Sequence, residues 1–254
     1  MKLHYKTIGS GRPVIILHGL FGSGDNWITM AKALAAHGFQ VFLVDQRNHG
    51  RSDHDSEMNY SNMAADLQEL IIDHDIEKPV LLGHSMGGKT VMWHSYQHPE
   101  VAEKLIVVDI APRQYPPHHQ HIFEALHLVD LEKISSRKEV EVIISNKIQD
   151  RSVIFFLLKN LYWDTADKLA WRFNLNAIEQ NINSIGDQLL FSTVITTPVL
   201  FIRGGNSDYI NLSDERYIDS YFSNSEILTI EGAGHWVHAD QPERFLAAVL
   251  NYIK

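Results

Sequence analysis

A glycine-framed serine stands where a short apolar run gives way to a helical pattern. Ser85 lies in the stretch VLLGHSMGGKT, with Gly83 two residues before it and Gly87 two residues after it. A strand that turns sharply into a helix exposes its serine hydroxyl, and glycines are needed where the two backbones approach each other. The helix start also brings N–H groups to the serine oxygen, where negative charge would develop. The pattern predicts that Ser85 is the nucleophile of an acyl transfer.

A second glycine-rich turn offers backbone donors for an oxyanion. The stretch LHGLFGSGDNW, residues 17–27, continues an apolar run into His-Gly and further glycines. A turn of this kind after a strand can aim a backbone N–H at the oxyanion of a serine site. The N–H groups of Leu20 and Met86 are therefore the candidate oxyanion donors. His18 is expected to hold the turn together by hydrogen bonds.

A histidine near the end of the chain could supply the general base. His235 lies in the stretch EGAGHWVHADQPE, residues 231–243, between the last apolar run and the last helical pattern. A loop at this place can reach the carboxyl edge of a parallel sheet, where the sites of such sheets collect. Its imidazole could take the proton of Ser85 and return it to the leaving group. His238 is expected to be a supporting polar contact.

Two aspartates could complete a Ser-Asp-His order along the chain. Asp109 ends the apolar run IVVD, and Asp208 follows the next apolar run in RGGNSD. Each stands where a strand is predicted to end, so either carboxylate could orient His235. The residues alone leave both candidates open.

These side chains need a sheet whose strands end at one edge, and the sequence predicts such a sheet. Short runs rich in Val, Ile and Leu, without alternation, are typical of parallel strands covered on both faces. They occupy residues 13–19, 40–45, 79–85, 104–112, 198–205 and 226–232. Helical patterns lie between them, and the last one has Pro242 near its first turn. Strand followed by helix, repeated, predicts an α/β fold with a doubly wound, mostly parallel sheet.

This alternation stops between Gln114 and Leu190. The interval shows helical patterns and no convincing strand, and an unstructured loop of that length would be implausible in a compact domain. We expect a helical cap, residues 114–190, inserted into a core formed by residues 1–113 and 191–254. Its apolar segments could line an acyl pocket above the sheet, or could simply pack its helices together.

Composition limits the classes of function. The chain has 31 acidic and 22 basic residues, a formal net charge of −9, and no basic run. This balance argues against nucleic acid or an anionic membrane as partner. The absence of cysteine excludes a disulfide scaffold and a thiolate nucleophile. No apolar run has the length of a membrane span, and no secretory signal is evident. The expected location is the cytoplasm, and the expected state is a monomer or homodimer.

Two further stretches are interpreted as structural. His118, His119 and His121 in PPHHQH lie too close together for an ordered tetrahedral zinc site, and no H-E-x-x-H pattern accompanies them. We therefore expect no metal. The stretch DQRNHGRSD, residues 45–53, is expected to be a turn in which Asn48 and Gly50 adopt turn dihedrals.

Several stretches together resemble a known superfamily, that of the α/β-hydrolases. They are HGLFG, DQRNHGRS, GHSMG and GHW, at residues 18–22, 45–52, 83–87 and 234–236. With VDIAP, RGGNS and GAGHWVHA, the combination is similar to the YbfF-type serine esterases along the whole chain, and least distinctive in the cap. The resemblance implies a Ser-His-Asp hydrolase of carboxylic esters or acyl thioesters, with no metal and no organic cofactor. It also favours Asp109 over Asp208 as the triad acid, because YbfF-type proteins keep the aspartate of VDIAP.

Alternatives to ester hydrolysis stay open at this point. A cofactor-free perhydrolase or a lyase could use the same triad, and a small-molecule receptor could keep the pocket without turnover, because a fold alone does not determine function. Epoxide and haloalkane hydrolysis of the usual kind is disfavoured, since it requires an aspartate at the position of Ser85.

Overall fold

A mostly parallel sheet runs through the middle of the molecule. In the computed structural model, which describes residues 1–117 and 119–254, seven strands form it in the order β1-β3-β2-β4-β5-β8-β9. The strands, including a separate pair β6 and β7, are β1 Tyr5–Ile8, β2 Arg12–Leu17, β3 Phe39–Val44, β4 Val80–His84, β5 Lys104–Val108, β6 Leu161–Trp163, β7 Leu169–Trp171, β8 Val199–Gly204 and β9 Ser225–Ile230. β1 pairs with β3 in antiparallel fashion, and the other neighbours in the sheet are parallel. The predicted α/β fold with a mostly parallel sheet is confirmed.

The sheet is covered on both faces, which explains why its central strands are continuously apolar. All five residues of β4 are buried, as are four of the five residues of β5. Alternate apolar residues of β2, β3, β4, β5 and β8 enter two separate hydrophobic clusters, because successive side chains of a strand point to opposite faces. β1 was missed in the sequence: it is a short edge strand, and none of its four residues is fully buried.

Helices lie on both sides of this sheet. They are α1 Ile28–Ala35, preceded by a 3-10 turn at Gly24–Trp27, α2 Tyr60–Asp73, α3 Met86–Gln97, α4 Gln120–His127, α5 Arg137–Ser145, α6 Arg151–Leu158, α7 Leu175–Gln180, α8 Ile182–Gly186, α9 Leu212–Tyr221, α10 Val237–Asp240 and α11 Pro242–Ile253. Apolar residues of α1 and α11 join one cluster, and those of α2 and α3 join the other. The strand–helix repeat of the sequence therefore folds into three layers, a sheet between two layers of helices.

The interval between β5 and β8 contains α4 to α8 and the antiparallel pair of β6 and β7. The expectation that this interval holds no strand is wrong. Helix α6 ends at Leu158, and residues 161–163 form β6, in which Leu161 pairs with Trp171 of β7. A strand of three residues is too short to show alternation, so an apolar run next to a helix conceals it. A separate cap with the bounds 114–190 stays a prediction.

Candidate active site

Ser85 occupies a strained turn between β4 and α3. Its φ is 52° and its ψ is −116°, a region that non-glycine residues enter only where the surrounding structure imposes it. A Cβ on Gly83 would lie 2.1 Å from the carbonyl oxygen of Gly87, and one on Gly87 would lie 2.4 Å from the carbonyl oxygen of Leu17. The backbones of strand and helix are thus in contact, which is why both positions must be glycine.

Asp109 and His235 meet beside this turn. The Nδ1 atom of His235 lies 2.8 Å from Oδ2 of Asp109, whose side chain is fully buried. The same carboxylate accepts the N–H of Gly204 at 3.0 Å and the hydroxyl of Ser207. Each bond limits the rotation of the carboxylate, so the imidazole has a fixed partner at Nδ1 and presents Nε2 as its other nitrogen. Asp208, by contrast, is exposed.

The ring of His235 is also held by its aromatic neighbours. Tyr209 stacks on it with a centroid distance of 3.8 Å and an interplanar angle of 20°. His84 donates from Nε2 to the backbone carbonyl of His235 at 2.8 Å, and burial holds the pKa of His84 well below its ordinary value. His238 does not make the polar contact expected from the sequence: its ring stacks on Trp27 at 3.8 Å, and its Nδ1 has no hydrogen-bond partner among the described residues.

Ser85 and His235 line one cavity of about 660 Å³. Over the described ranges of the chain, no hydrogen bond joins the Ser85 hydroxyl to the His235 ring. Contacts of this kind are often long in free serine sites and shorten when substrate binds. The structure therefore places Ser85 and His235 in the lining of one cavity, and the imidazole of His235 is bonded to the carboxylate of Asp109.

The loop that contains Leu20 passes close to Ser85. A Cβ on Gly19 would lie 3.2 Å from Cβ of Ser85. The N–H of Met86 is the first of α3 and has no acceptor within that helix. Both predicted oxyanion donors thus belong to backbone segments that adjoin the serine.

Hydrogen bonds hold the peptide groups on both sides of Leu20. His18 donates from Nδ1 to the carbonyl of Gly19 at 2.8 Å, while its Nε2 accepts the N–H of Gln46 at 3.0 Å. This confirms that His18 holds the turn. Burial lowers the pKa of His18 to about 4, so its ring stays neutral and keeps one donor and one acceptor.

His49 and Asn160, two residues that sequence reasoning missed, bond to the other side of this loop. Phe21 has a φ of 58°; its N–H donates to Nε2 of His49 at 3.1 Å, and its carbonyl accepts Nδ2 of Asn160 at 2.8 Å. Burial lowers the pKa of His49 to about 3, which keeps Nε2 free to accept. His49 belongs to the stretch interpreted as a structural turn, and Asn160 follows an apolar helix, so neither carried a signal of its own.

Much of the cavity wall is apolar. Side chains from the interval between β5 and β8 provide it: Ile122, Val153, Phe156, Leu157, Ile182 and Ile185. Apart from histidines, the charged side chains among the described lining residues are Lys159 and Asp240. The cavity suits an apolar group attached to a reacting carbonyl.

The histidine-rich stretch contributes to this wall without a recognisable metal centre. His119 and His121 line the cavity, whereas His118 lies outside the described residues. Where the structure is described, no group of three or more histidine, aspartate or glutamate side chains could hold a metal ion.

The architecture and the site match proteins of one family. A family model described as the alpha/beta hydrolase fold matches residues 12–131. Esterase YbfF of Escherichia coli is 36% identical over 95% of this chain and 92% of its own length. A solved structure called a marine microorganism esterase is 42% identical, covers 99% of each chain and has a TM-score of 0.96.

The chain belongs to the α/β-hydrolases, among the YbfF-type esterases. A further relative of this α/β-hydrolase, the sn-1-specific diacylglycerol lipase ABHD11 of Xenopus laevis, is 38% identical over 96% of this chain and 80% of its own length. The resemblance inferred from the motifs is thereby confirmed over nearly the whole chain. None of the described helices is long and apolar enough to cross a membrane.

Proposed function

We propose that this carboxylic-ester hydrolase works through an acyl-enzyme on Ser85. The Ser85 oxygen attacks the ester carbonyl while Nε2 of His235 takes its proton. His235 then protonates the leaving alkoxide as the carbonyl re-forms, which leaves the acyl group on Ser85. A water molecule activated by the same imidazole attacks this ester, and the acid is released with Ser85 regenerated.

One observation carries the assignment of roles. The 2.8 Å contact between Nδ1 of His235 and Oδ2 of Asp109 leaves Nε2 as the nitrogen that can serve as base. The buried carboxylate stabilises the imidazolium that forms during attack. Asp109 is therefore the proposed acid of the triad, and Asp208 has no part in it.

The backbone N–H groups of Leu20 and Met86 are proposed to bind the oxyanion. Preorganised donors of this kind lower the barrier because they need no reorganisation as charge develops. The hydrogen bonds that hold the carbonyl of Gly19 and both backbone groups of Phe21 support this role for Leu20. For Met86, the support is its place as the first residue of the helix that follows the nucleophile.

The substrate is proposed to be a small-molecule ester with an apolar acyl chain. The apolar wall contributed by residues 122–185 is the proposed lid, and Lys159 is its sole cationic side chain among the described lining residues other than histidine. A coenzyme A thioester carries several phosphate charges, which proteins usually bind with arginine and lysine clusters. The lining thus supports carboxylic esters over acyl-coenzyme A. A cytoplasmic location and a monomeric or homodimeric state stay predictions.

Activity-based labelling together with a Ser85→Ala variant tests this function. Wild-type protein should react stoichiometrically with a fluorophosphonate at Ser85 and hydrolyse nitrophenyl esters. The variant should neither label nor turn over, with a loss of about a thousand-fold or more. Ser220→Ala, at an exposed serine of α9, is the matched control and should behave as wild type. Substantial turnover by folded Ser85→Ala, or an inert serine in the wild type, would refute the proposal.

A further inference from the structure

A buried lysine lies one helical turn after the proposed nucleophile. Lys89 is in α3, where its N–H donates to the carbonyl of Ser85 at 3.1 Å, and its side chain is only 1% exposed. The ion pairs found in the described parts of the chain include no carboxylate partner for it. Lysine is almost never buried without a partner, since removing an ammonium from water is costly. The proposed mechanism makes no use of this charge.

The ammonium of Lys89 has a complete set of acceptors in backbone carbonyls. Nζ lies 2.9 Å from the carbonyl oxygen of Arg113, 3.3 Å from that of Gly186 and 2.5 Å from that of Asp187. An ammonium has three N–H donors, so the number of donors matches the number of acceptors. Arg113 immediately precedes the segment 114–190, and the other two residues lie shortly before its end.

The two ends of this segment are also bonded to each other. The N–H of Tyr115 donates to the carbonyl of Gly186 at 2.8 Å, and the N–H of Leu189 donates to that of Pro112 at 2.8 Å. We call this pair of chain segments, residues 112–115 and 185–189, the junction. Lys89 ties the junction to α3, because its three acceptors come from both of these segments.

Aromatic rings connect the junction to the proposed base. Nζ of Lys89 lies 4.9 Å from the ring centroid of Tyr115, within the range of a cation–π contact. Tyr115 donates its hydroxyl to the carbonyl of Tyr209, and the two rings stack at 5.4 Å. Tyr209 in turn stacks on His235. The position of the junction is therefore linked by direct contacts to the position of the imidazole.

We propose that Lys89 is a positioning residue whose ammonium locks both ends of the segment 114–190 onto the helix that carries Ser85. The lock fixes the apolar wall of the cavity above the serine and keeps the stack of Tyr115, Tyr209 and His235 in register. This inference rests on the proposed function, since the wall acts as an acyl site only if Ser85 acylates. Lys89 itself touches no reacting atom.

Lys89→Met removes the charge and keeps an unbranched side chain, and Lys133→Met, at a lysine whose side chain is 82% exposed, is its matched control. Amide hydrogen exchange of the junction should become about ten-fold faster or more in Lys89→Met. The reason is that loss of the three Nζ bonds makes local opening of the junction easier. Exchange of β4 and β5 should stay unchanged. The KM for long-chain nitrophenyl esters should rise about ten-fold with a smaller change for acetate, since the long chain needs the wall.

The fluorophosphonate separates this proposal from the proposed function. The small probe should still label Ser85 in Lys89→Met. Failure to label the wild-type protein would refute the proposed function, whereas hydrogen exchange at the junction tests the lock independently of labelling. Unchanged exchange at the junction, or faster exchange in only one of its two segments, would overturn the lock. So would an equal change of KM for acetate and for long-chain esters.

Wild-type protein supplies a second test, should Lys89→Met fail to fold. If Lys89 holds both ends of the segment 114–190, the amides of Tyr115 and Leu189, which bond across the junction, should exchange in wild-type protein through one common opening, with opening constants equal within about two-fold. Opening constants that differ by about ten-fold or more between residues 112–115 and residues 185–189 would overturn the lock.

Discussion

Replacing Asn160 with alanine should both slow the chemical step and weaken the fold. The side chain of Asn160 is 4% exposed, and its Nδ2 donates to the carbonyl of Phe21 at 2.8 Å. The contacts of the same nitrogen with the carbonyls of Phe156 and Leu157 are longer, at 3.4 Å each. The substitution therefore removes chiefly the bond that reaches across to the proposed oxyanion loop.

The magnitude follows from what the substitution leaves behind. A buried carbonyl that loses its donor costs about 1–3 kcal/mol, and the cost falls on Phe21, whose φ of 58° already depends on its surroundings. When the backbone relaxes at Phe21, it displaces the N–H of the preceding residue, Leu20. Complete loss of one oxyanion donor lowers kcat by about 10²–10³-fold. Because His49 and His18 still hold the loop, we expect a partial loss, about ten- to a hundred-fold in kcat.

Steady-state kinetics and urea unfolding of the same preparations measure both effects. We expect kcat on a nitrophenyl ester to fall while KM changes little, because the oxyanion forms only during the reaction. The free energy of unfolding should decrease by about 1–3 kcal/mol. Asn146→Ala, at an exposed asparagine between β5 and β8, is the control and should keep both values. A folded Asn160→Ala protein with unchanged kcat would refute the claim that this bond positions the loop.

Other perturbations have equally definite outcomes. Asp109→Asn should lower kcat by about 10³–10⁴-fold, whereas Asp208→Asn should be active; the same loss in both would contradict the assignment of the acid. Gly87→Ala should destabilise the protein by about 3 kcal/mol or more, or prevent folding, because its Cβ would lie 2.4 Å from the carbonyl of Leu17; a thermal midpoint equal to wild type would exclude this clash. The free energy of unfolding should fall as pH drops below about 6.5, by about 1.4 kcal/mol per pH unit for each histidine whose pKa burial lowers. The cause is that the unfolded chain binds protons that the folded chain does not. A free energy of unfolding that stays level from about pH 7 to 5 would contradict this prediction. The histidines with such a strongly lowered pKa are His18, His49, His84, His94 and His238.

Local patterns were sufficient for much of the architecture. The continuous apolar runs located the central strands because burial on both faces leaves no polar alternation to interrupt them. The glycines around Ser85 located the strand–helix turn because their requirement is steric and short in range. β1 escaped because an edge strand is half exposed, and β6 escaped because three residues beside a helix show no period.

The proposed site was predictable only in part, because a local pattern reveals only requirements that act within a few residues. Ser85, His235 and Leu20 each stand in a stretch whose residue types suggest a role. His49, Asn160 and Tyr209 do not, because what they do depends on partners far along the chain. Asn160, for example, bonds to a residue 139 positions away.

The sequence by itself determined the fold class, the turn at Ser85 and a short set of possible partners, because backbone sterics and burial act within a few residues. It left Asp109 and Asp208 physically equivalent, each at the end of a strand. Tertiary structure decided which carboxylate meets the imidazole, since only the folded sheet places Asp109 within 2.8 Å of His235 and Asp208 at the surface. It also decided that the charge of Lys89 lies on the junction, because three carbonyls from distant parts of the chain converge there only after folding.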